Sequence, residues 1–207
     1  LPAELPLVSI IIPTRDGMEV LRPCIESLIA NTDYSNYEVV ILDNGSEEEE
    51  TLKFLEKLSL NSNFKIVRDN GGFNYSRINN KAVEHSEGEL VCLLNNDIEI
   101  IDECWLKEMV SIAIRKEVGC VGAKLLYPDS TIQHAGVILG LGGYAAHSHR
   151  GLDGNAPGYF CRAQLRQQLS SVTGACLLIR REAYNEVNGM DESFQVAYND
   201  VDFCLRI

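Results

Sequence analysis

Apolar positions in the first hundred residues recur with two different periods. Residues 8–12 (VSIII) form a β-branched run closed by Pro13, which predicts a strand. Val20, Leu21, Cys24, Ile25, Leu28 and Ile29 follow at helical spacing, and Pro23 falls early enough to be tolerated near a first turn. Residues 38–42 (EVVIL) predict a second strand, and 47–58 a helix with Leu52, Leu55 and Leu58 inward. Residues 64–67 predict a third strand, and Tyr75, Ile78, Asn79, Ala82 and Val83 mark a third helix. Residues 90–94 (LVCLL) are apolar throughout, as a strand covered on both faces should be. This alternation implies an α/β fold with a mainly parallel sheet and helices on both faces. Such sheets bind ligands at the carboxyl ends of their strands. The rule directs attention to residues 13–16, 43–46, 69–72 and 95–97.

The pattern changes after about residue 100. Residues 118–126, 132–141 and 169–179 predict strands, 181–187 a short helix, and 140–158 a glycine-rich stretch without clear period. The expectation is one domain, with a Rossmann-like half over about 1–100 and a mixed, loop-rich half over about 101–207. Residues 202–207 begin an amphipathic helix with no stop signal and the chain starts without Met, so a domain truncated at its C-terminus is expected.

Composition narrows the function classes. A net charge of −12 over 207 residues argues against nucleic acid as a partner, because phosphate backbones recruit Lys and Arg clusters. No apolar run approaches the roughly 20 residues of a transmembrane segment. Cys24, Cys92, Cys120, Cys176 and Cys204 lie in apolar periodic segments, as buried free thiols do, and the odd total of 7 with no CxxC fits a reducing, cytoplasmic setting.

Four short elements carry candidate chemistry, each with a plainer reading. In residues 93–99 (LLNNDIE) a buried strand runs into Asn95, Asn96 and Asp97, where a carboxylate could hold a hard divalent cation or the polar residues could simply turn the chain. Asp43 follows the second strand, placed to bond a nucleoside or, with Ser46, to cap the next helix. Residues 69–73 (DNGGF) allow close backbone approach to a ligand, or a turn. Asp200 and Asp202 start the last helical pattern, as a general base would or as acids that complement a helix N-terminus. His147 and His149 form an HxH in a loop, either a metal or acceptor site or two polar loop residues. No GxxxxGK[ST] and no GxSxG occurs, which removes P-loop and lipase-like chemistry.

Together these pieces resemble the family 2 glycosyltransferases of GT-A fold, in particular the rhamnosyltransferase-like, O-antigen biosynthesis branch. The resemblance runs through VSIIIPTR (8–15), DNGS (43–46), NGGF (70–73), LNND (94–97), TGAC (173–176), GMDESF (189–194) and NDVD (199–202). It implies that Pro13, Thr14, Arg15 and Asp16 line a nucleoside pocket and that Asp43 bonds a pyrimidine base. Asn70 and Gly71 would lie near base or ribose, with Asn79 and Lys81 on the adjoining helix. Asn95, Asn96 and Asp97 occupy the DxD position, with Asp97 as ligand of Mg²⁺ or Mn²⁺, and Asp200 matches the catalytic base. Two departures stand out: Asn95 replaces the first DxD acid, and Asn199 replaces the acid before the base. The implied reaction is inverting transfer of a sugar from a UDP- or dTDP-sugar to a hydroxyl of a glycan or lipid-linked glycan acceptor, in cell-surface polysaccharide biosynthesis. Two other classes compete: a non-catalytic binding domain with a degenerate site, and a nucleotidyltransferase. The latter favours a basic glycine-rich loop after the first strand, which PTRDG (13–17) matches poorly.

Overall fold

The computed structural model describes residues 1–2 and 4–207. The four strands foreseen in the first hundred residues all form: β1 (Val8–Thr14), β2 (Tyr37–Asp43), β3 (Phe64–Arg68) and β4 (Leu90–Leu94). Each pairs in parallel with its neighbour, in the order β3-β2-β1-β4. β1 runs two residues further than its β-branched core. Pro13, which has no N–H to donate, lies beyond the end of the β1–β4 ladder at Ile11–Leu93. A later strand, β10 (Cys176–Arg180), adds to β4 in the antiparallel sense, and β5 (Cys120–Gly122) closes the six-stranded sheet.

Strand alternation divides the core between two faces. Ile10, Ile12, Val39, Ile41, Cys92 and Leu94 pack against α1 (Met18–Ala30), α2 (Glu49–Ser59) and α4 (Trp105–Ala113). Ile11, Val40, Leu42, Val91 and Leu93 meet α3 (Tyr75–Glu84), α5 (Arg181–Glu186) and α6 (Asn199–Arg206) on the other side. Each wholly buried Leu or Ile contributes about 1.5–3 kcal/mol, so the central strands anchor both layers.

Some sequence expectations need correction. Leu52 is 41% exposed, because the inward stripe of α2 runs through Thr51 and Leu55. Val20 and Ile29 also face outward, leaving Met18, Leu21, Cys24, Ile25 and Leu28 as the buried stripe of α1. Helix α4 was not anticipated, although Leu106, Met109, Val110 and Ala113 carry the helical spacing. The strand expected over 118–126 breaks into β5 and β6 (Leu125–Leu126), and that over 132–141 into β7 (Ile132–His134) and β8 (Val137–Leu139). Gly136 makes the second break with φ 101°, a conformation that disfavours any side chain. The strand expected over 169–179 begins only at Cys176. Within the glycine-rich stretch, β9 (Ala145–His147) folds back on β8 as a hairpin. Cys120 and Cys204 are only half-buried, their sulfurs 3.7 Å apart. Among the described residues no helix is long and apolar enough to cross a membrane.

Candidate functional site

The order of the sheet reverses between β1 and β4, and in open α/β sheets the crevice that holds ligands lies outside the carboxyl ends of the strands at such a point. Asn96 ties these two strand ends together, its Nδ2 donating to Thr14 Oγ1 at 3.0 Å. Because β10 runs antiparallel to β4, the start of β10 lies at this same edge, and Asn95 N–H donates to the Ala175 carbonyl at 2.9 Å. Pro13 and Thr14 are buried beneath the crevice, and Arg15 is exposed at its rim.

Two ionic ties shape the β2 and β3 side. Asp43, 2% exposed, accepts from Ser46 N–H at 2.8 Å and pairs with Arg68. Arg68 also donates to the Ser46 carbonyl at 2.9 Å and to Asn70 Oδ1 at 3.0 Å. The Asp43 carboxylate thus already organises its own loop, and a nucleobase would have to share it. Asp69 takes Arg77 and Lys81, each at 2.7 Å, and Asn44 Nδ2 at 3.1 Å. Hydrogen bonding from Arg77, and then from Lys81, holds the Asp69 carboxyl well below the usual carboxylate range against the opposing effect of burial. Gly71 is exposed, but an added Cβ would stand 2.7 Å from the Arg77 guanidinium, so this ion pair sits tight against the loop.

Asp16 and Asn79 are differently employed. Asp16 Oδ1 accepts from Glu47 and Glu48 N–H at 2.8 and 2.9 Å, bonding the segment that leads into α2, and these bonds depress its pKa. Asn79 is wholly buried, its Nδ2 donating to the Tyr75 carbonyl at 2.8 Å, so it has no solvent-facing surface for a ligand. Three nearby cations, Arg68, Arg77 and Lys81, are paired with carboxylates; Arg15 has no ion-pair partner among the described residues.

On the β4 and β10 side the Tyr75 hydroxyl stands 3.1 Å from both Asn95 Oδ1 and the Gly174 carbonyl. Burial, and then the charge of Asp200, push this phenol well above its ordinary pKa, so it remains a donor. Gly174 N–H in turn donates to Asp200 Oδ2 at 3.0 Å, and Val201 N–H to Asp200 Oδ1 at 2.8 Å. Asn199 is buried and bonds the Asp200 N–H through its own Oδ1 at 2.8 Å. A line of polar contacts therefore runs from Asn95 through Tyr75, whose single O–H proton is shared between two acceptors, and the Gly174 backbone to Asp200. Asp200 lines an open cavity of about 230 Å³ with His147, Val137, Ala145 and Tyr198. Tyr198 holds φ at 61°, a costly conformation for a bulky residue, immediately before the helix that carries Asp200.

Asp97 is exposed on the turn after β4. Its carboxylate suits a hard divalent cation, and the Asn96 amide carries the same kind of oxygen donor nearby. Among the described residues no cluster of three His, Cys, Asp or Glu side chains forms a ready-made cage. Among the described residues a cation here would find Asp97 as its anionic ligand, with room in its shell for water and phosphate oxygens, which Mg²⁺ commonly keeps.

Tyr75 and Arg68 carry no assigned role in the sequence. Tyr75 shows there only as an inward position of a helix, and nothing local marks Arg68; Gly174 lies within the TGAC motif, but its contacts with Tyr75 and Asp200 come only from the fold. The family model described as "Glycosyl transferase family 2" matches residues 9–187. The chain is 52% identical over 204 residues to protein y4gI of Sinorhizobium fredii, covering 98% of this chain and 22% of that protein. It is 43% identical over 203 residues to the O-antigen biosynthesis protein RfbC of Myxococcus xanthus, covering 98% and 16%. The chain thus spans about a fifth of the length of these relatives. The fold is similar to that of the mannosyltransferase PcManGT from Pyrobaculum calidifontis in complex with GDP-Man and Mn²⁺, with TM-score 0.70, 16% identity, and 97% of this chain and 51% of that chain covered.

Proposed function

The chain belongs to glycosyl transferase family 2, and from that membership we propose that it transfers a sugar, with inversion, from a nucleoside diphosphate donor to a hydroxyl of a glycan or lipid-linked glycan. The setting we propose is the assembly of cell-surface polysaccharide, as the likeness to an O-antigen biosynthesis protein suggests, with the transfer itself on the cytoplasmic side. The observation that carries the reading is the line of polar contacts from Asn95 through Tyr75 and Gly174 to Asp200, which places the proposed base next to the strand ends.

The donor's nucleoside would enter over Pro13, Thr14 and Asp16, with the Asp43 loop and Asn70–Gly71 at the base and ribose. UDP or dTDP is the expected carrier. Arg15, which has no ion-pair partner among the described residues, would meet the diphosphate. Asp97 would hold Mg²⁺ or Mn²⁺, whose charge offsets that of the departing diphosphate. Lys81 acts behind this surface by fixing Asp69, and Asn79 by filling the core beneath it.

Asp200 is the proposed general base. Its carboxylate takes the proton from the acceptor hydroxyl as that oxygen attacks the anomeric carbon opposite the leaving group. Backbone N–H donors from Gly174 and Val201 fix the carboxylate's orientation and leave room for a third partner. Replacing Asp200 by Asn in the intact protein should lower turnover about 10²–10⁴-fold while UDP affinity stays unchanged. Full turnover in that variant would remove Asp200 from the reaction, and absence of transfer by the intact wild type would favour a binding domain.

A further inference from the structure

A buried pair of histidines stands behind the Asp200 cavity. His134, on β7, is 1% exposed, and its Nε2 lies 3.3 Å from Gly136 N–H and 3.4 Å from Thr173 N–H. Both partners are donors only, so Nε2 carries the lone pair and the ring's proton resides on Nδ1. Nδ1 in turn lies 2.8 Å from Nδ1 of His147, on β9. Donation there makes His147 Nδ1 the acceptor and puts the His147 proton on Nε2. Burial, and then the proximity of His147, push His134 down to about 3; burial also lowers His147, against the pull of the Asp200 charge. Protonating His147 on Nδ1 would set two N–H groups head to head, so the contact itself keeps the ring neutral.

The remaining polar group of His147 is its Nε2–H, which has no partner among the described residues, and His147 lines the cavity with Asp200. The two groups share one foundation. Thr173 N–H holds His134 and the next peptide, Gly174 N–H, holds Asp200. Beside them Tyr198 and the exposed Tyr144 have ring centroids 6.1 Å apart, an apolar wall suited to the C–H face of a sugar. A carboxylate that accepts and a neutral imidazole that donates match two adjacent sugar hydroxyls, one giving a hydrogen bond and one receiving it.

We propose that His147, held as its Nε2–H tautomer by His134, donates a hydrogen bond to the acceptor-sugar hydroxyl next to the one that Asp200 deprotonates. The proposal rests on Asp200 as the base and makes His147 an acceptor-recognition residue. His134 is a positioning residue that acts through it. A neutral donor is what the site needs, because an imidazolium would pair with the Asp200 carboxylate and compete with the acceptor's proton.

The test reads ring protonation and binding rather than turnover. In the intact protein at pH 7, ¹⁵N-labelled histidine spectra should show His147 protonated on Nε2 alone. His134→Gln should yield a mixture of His147 tautomers while UDP affinity is kept. Methyl α-L-rhamnopyranoside or methyl α-D-glucopyranoside, both rich in vicinal hydroxyls, should shift the His147 Nε2–H signal. His147→Ala should weaken binding of the responding glycoside roughly two- to tenfold, the worth of one neutral hydrogen bond, and His147→Gln should restore part of it. His147 protonated on Nδ1 overturns the proposal, as does an Nε2–H signal unmoved by both glycosides. If the protein fails to transfer sugar at all while these shifts appear, the reaction assignment fails and the recognition role stands.

Discussion

Single side chains at the strand-end crevice decide how much charge it offers a cation. Asn95 contributes a neutral amide whose oxygen already faces the Tyr75 hydroxyl, leaving Asp97 as the anionic group of the turn. Substituting Asp for Asn95 adds a second carboxylate, and oxygen-ligated sites tighten as ligand charge rises. Calorimetric titration of Mn²⁺ in the presence of UDP should show affinity higher by roughly one order of magnitude in Asn95→Asp. Arg15 calls for the opposite test. It is exposed and has no ion-pair partner among the described residues, so Arg15→Ala should leave the melting temperature unchanged and weaken UDP binding roughly ten- to a hundredfold, since charge-assisted bonds contribute about 1.5–3 kcal/mol. The candidate residues themselves were legible in sequence because acids and amides at the ends of apolar strands stand out locally. Their partners were not: Arg68 lies 25 residues from Asp43, and only the β2–β3 pairing brings the two together.

Elements hold these side chains by cross-ties between neighbours. The ties of Asp69 to Arg77 and Lys81 join the end of β3 to α3, the helix that also presents Tyr75. Because the folded pKa of Asp69 is depressed, its stabilisation is complete above the unfolded value near about 3.9 and is lost as pH falls below it. Asp69→Asn should therefore lose about 1–3 kcal/mol at pH 7 and show a flatter decline in stability between about pH 4 and 2, measured by urea unfolding. Most elements could be read from their period, and the failures have a common cause. Leu52 and Leu55 obey the same local spacing, yet the sheet accepts a narrower stripe than the sequence offers. The short strands β5–β9 are held by pairing across loops, with too few residues each to impose a period of their own.

At the scale of the whole chain, a net charge of −12 means that the proposed anionic donor would have to be taken up through a local arrangement of cations, since the overall field of the chain opposes approach. A nucleoside diphosphate at about 100 times its dissociation constant should stabilise the fold by roughly 2.7 kcal/mol. For a chain of this size that corresponds to a rise of about 5–10 °C in Tm. Thermal melts with UDP, dTDP and GDP, each with and without Mn²⁺, should show a metal-dependent rise with UDP or dTDP that exceeds the rise with GDP. Equal shifts with all three would show that Asp43 does not select the base. No shift would leave the crevice without its proposed ligand.

Period, β-branching and the strand-ending polar residues determined the class of this protein by themselves: a mainly parallel sheet, helices on both faces, and candidate ligands gathered at one edge. These features follow from near-neighbour chemistry, which the chain carries wherever it lies. Tertiary structure alone decided that β10 inserts antiparallel beside β4, bringing Gly174 to Tyr75 across 99 residues and Asp200 to Gly174 across a further 26. It alone set His134 against His147 and turned a loop HxH into one inward-anchored ring. Such contacts depend on the order of strands in the sheet, and local pattern does not encode that order.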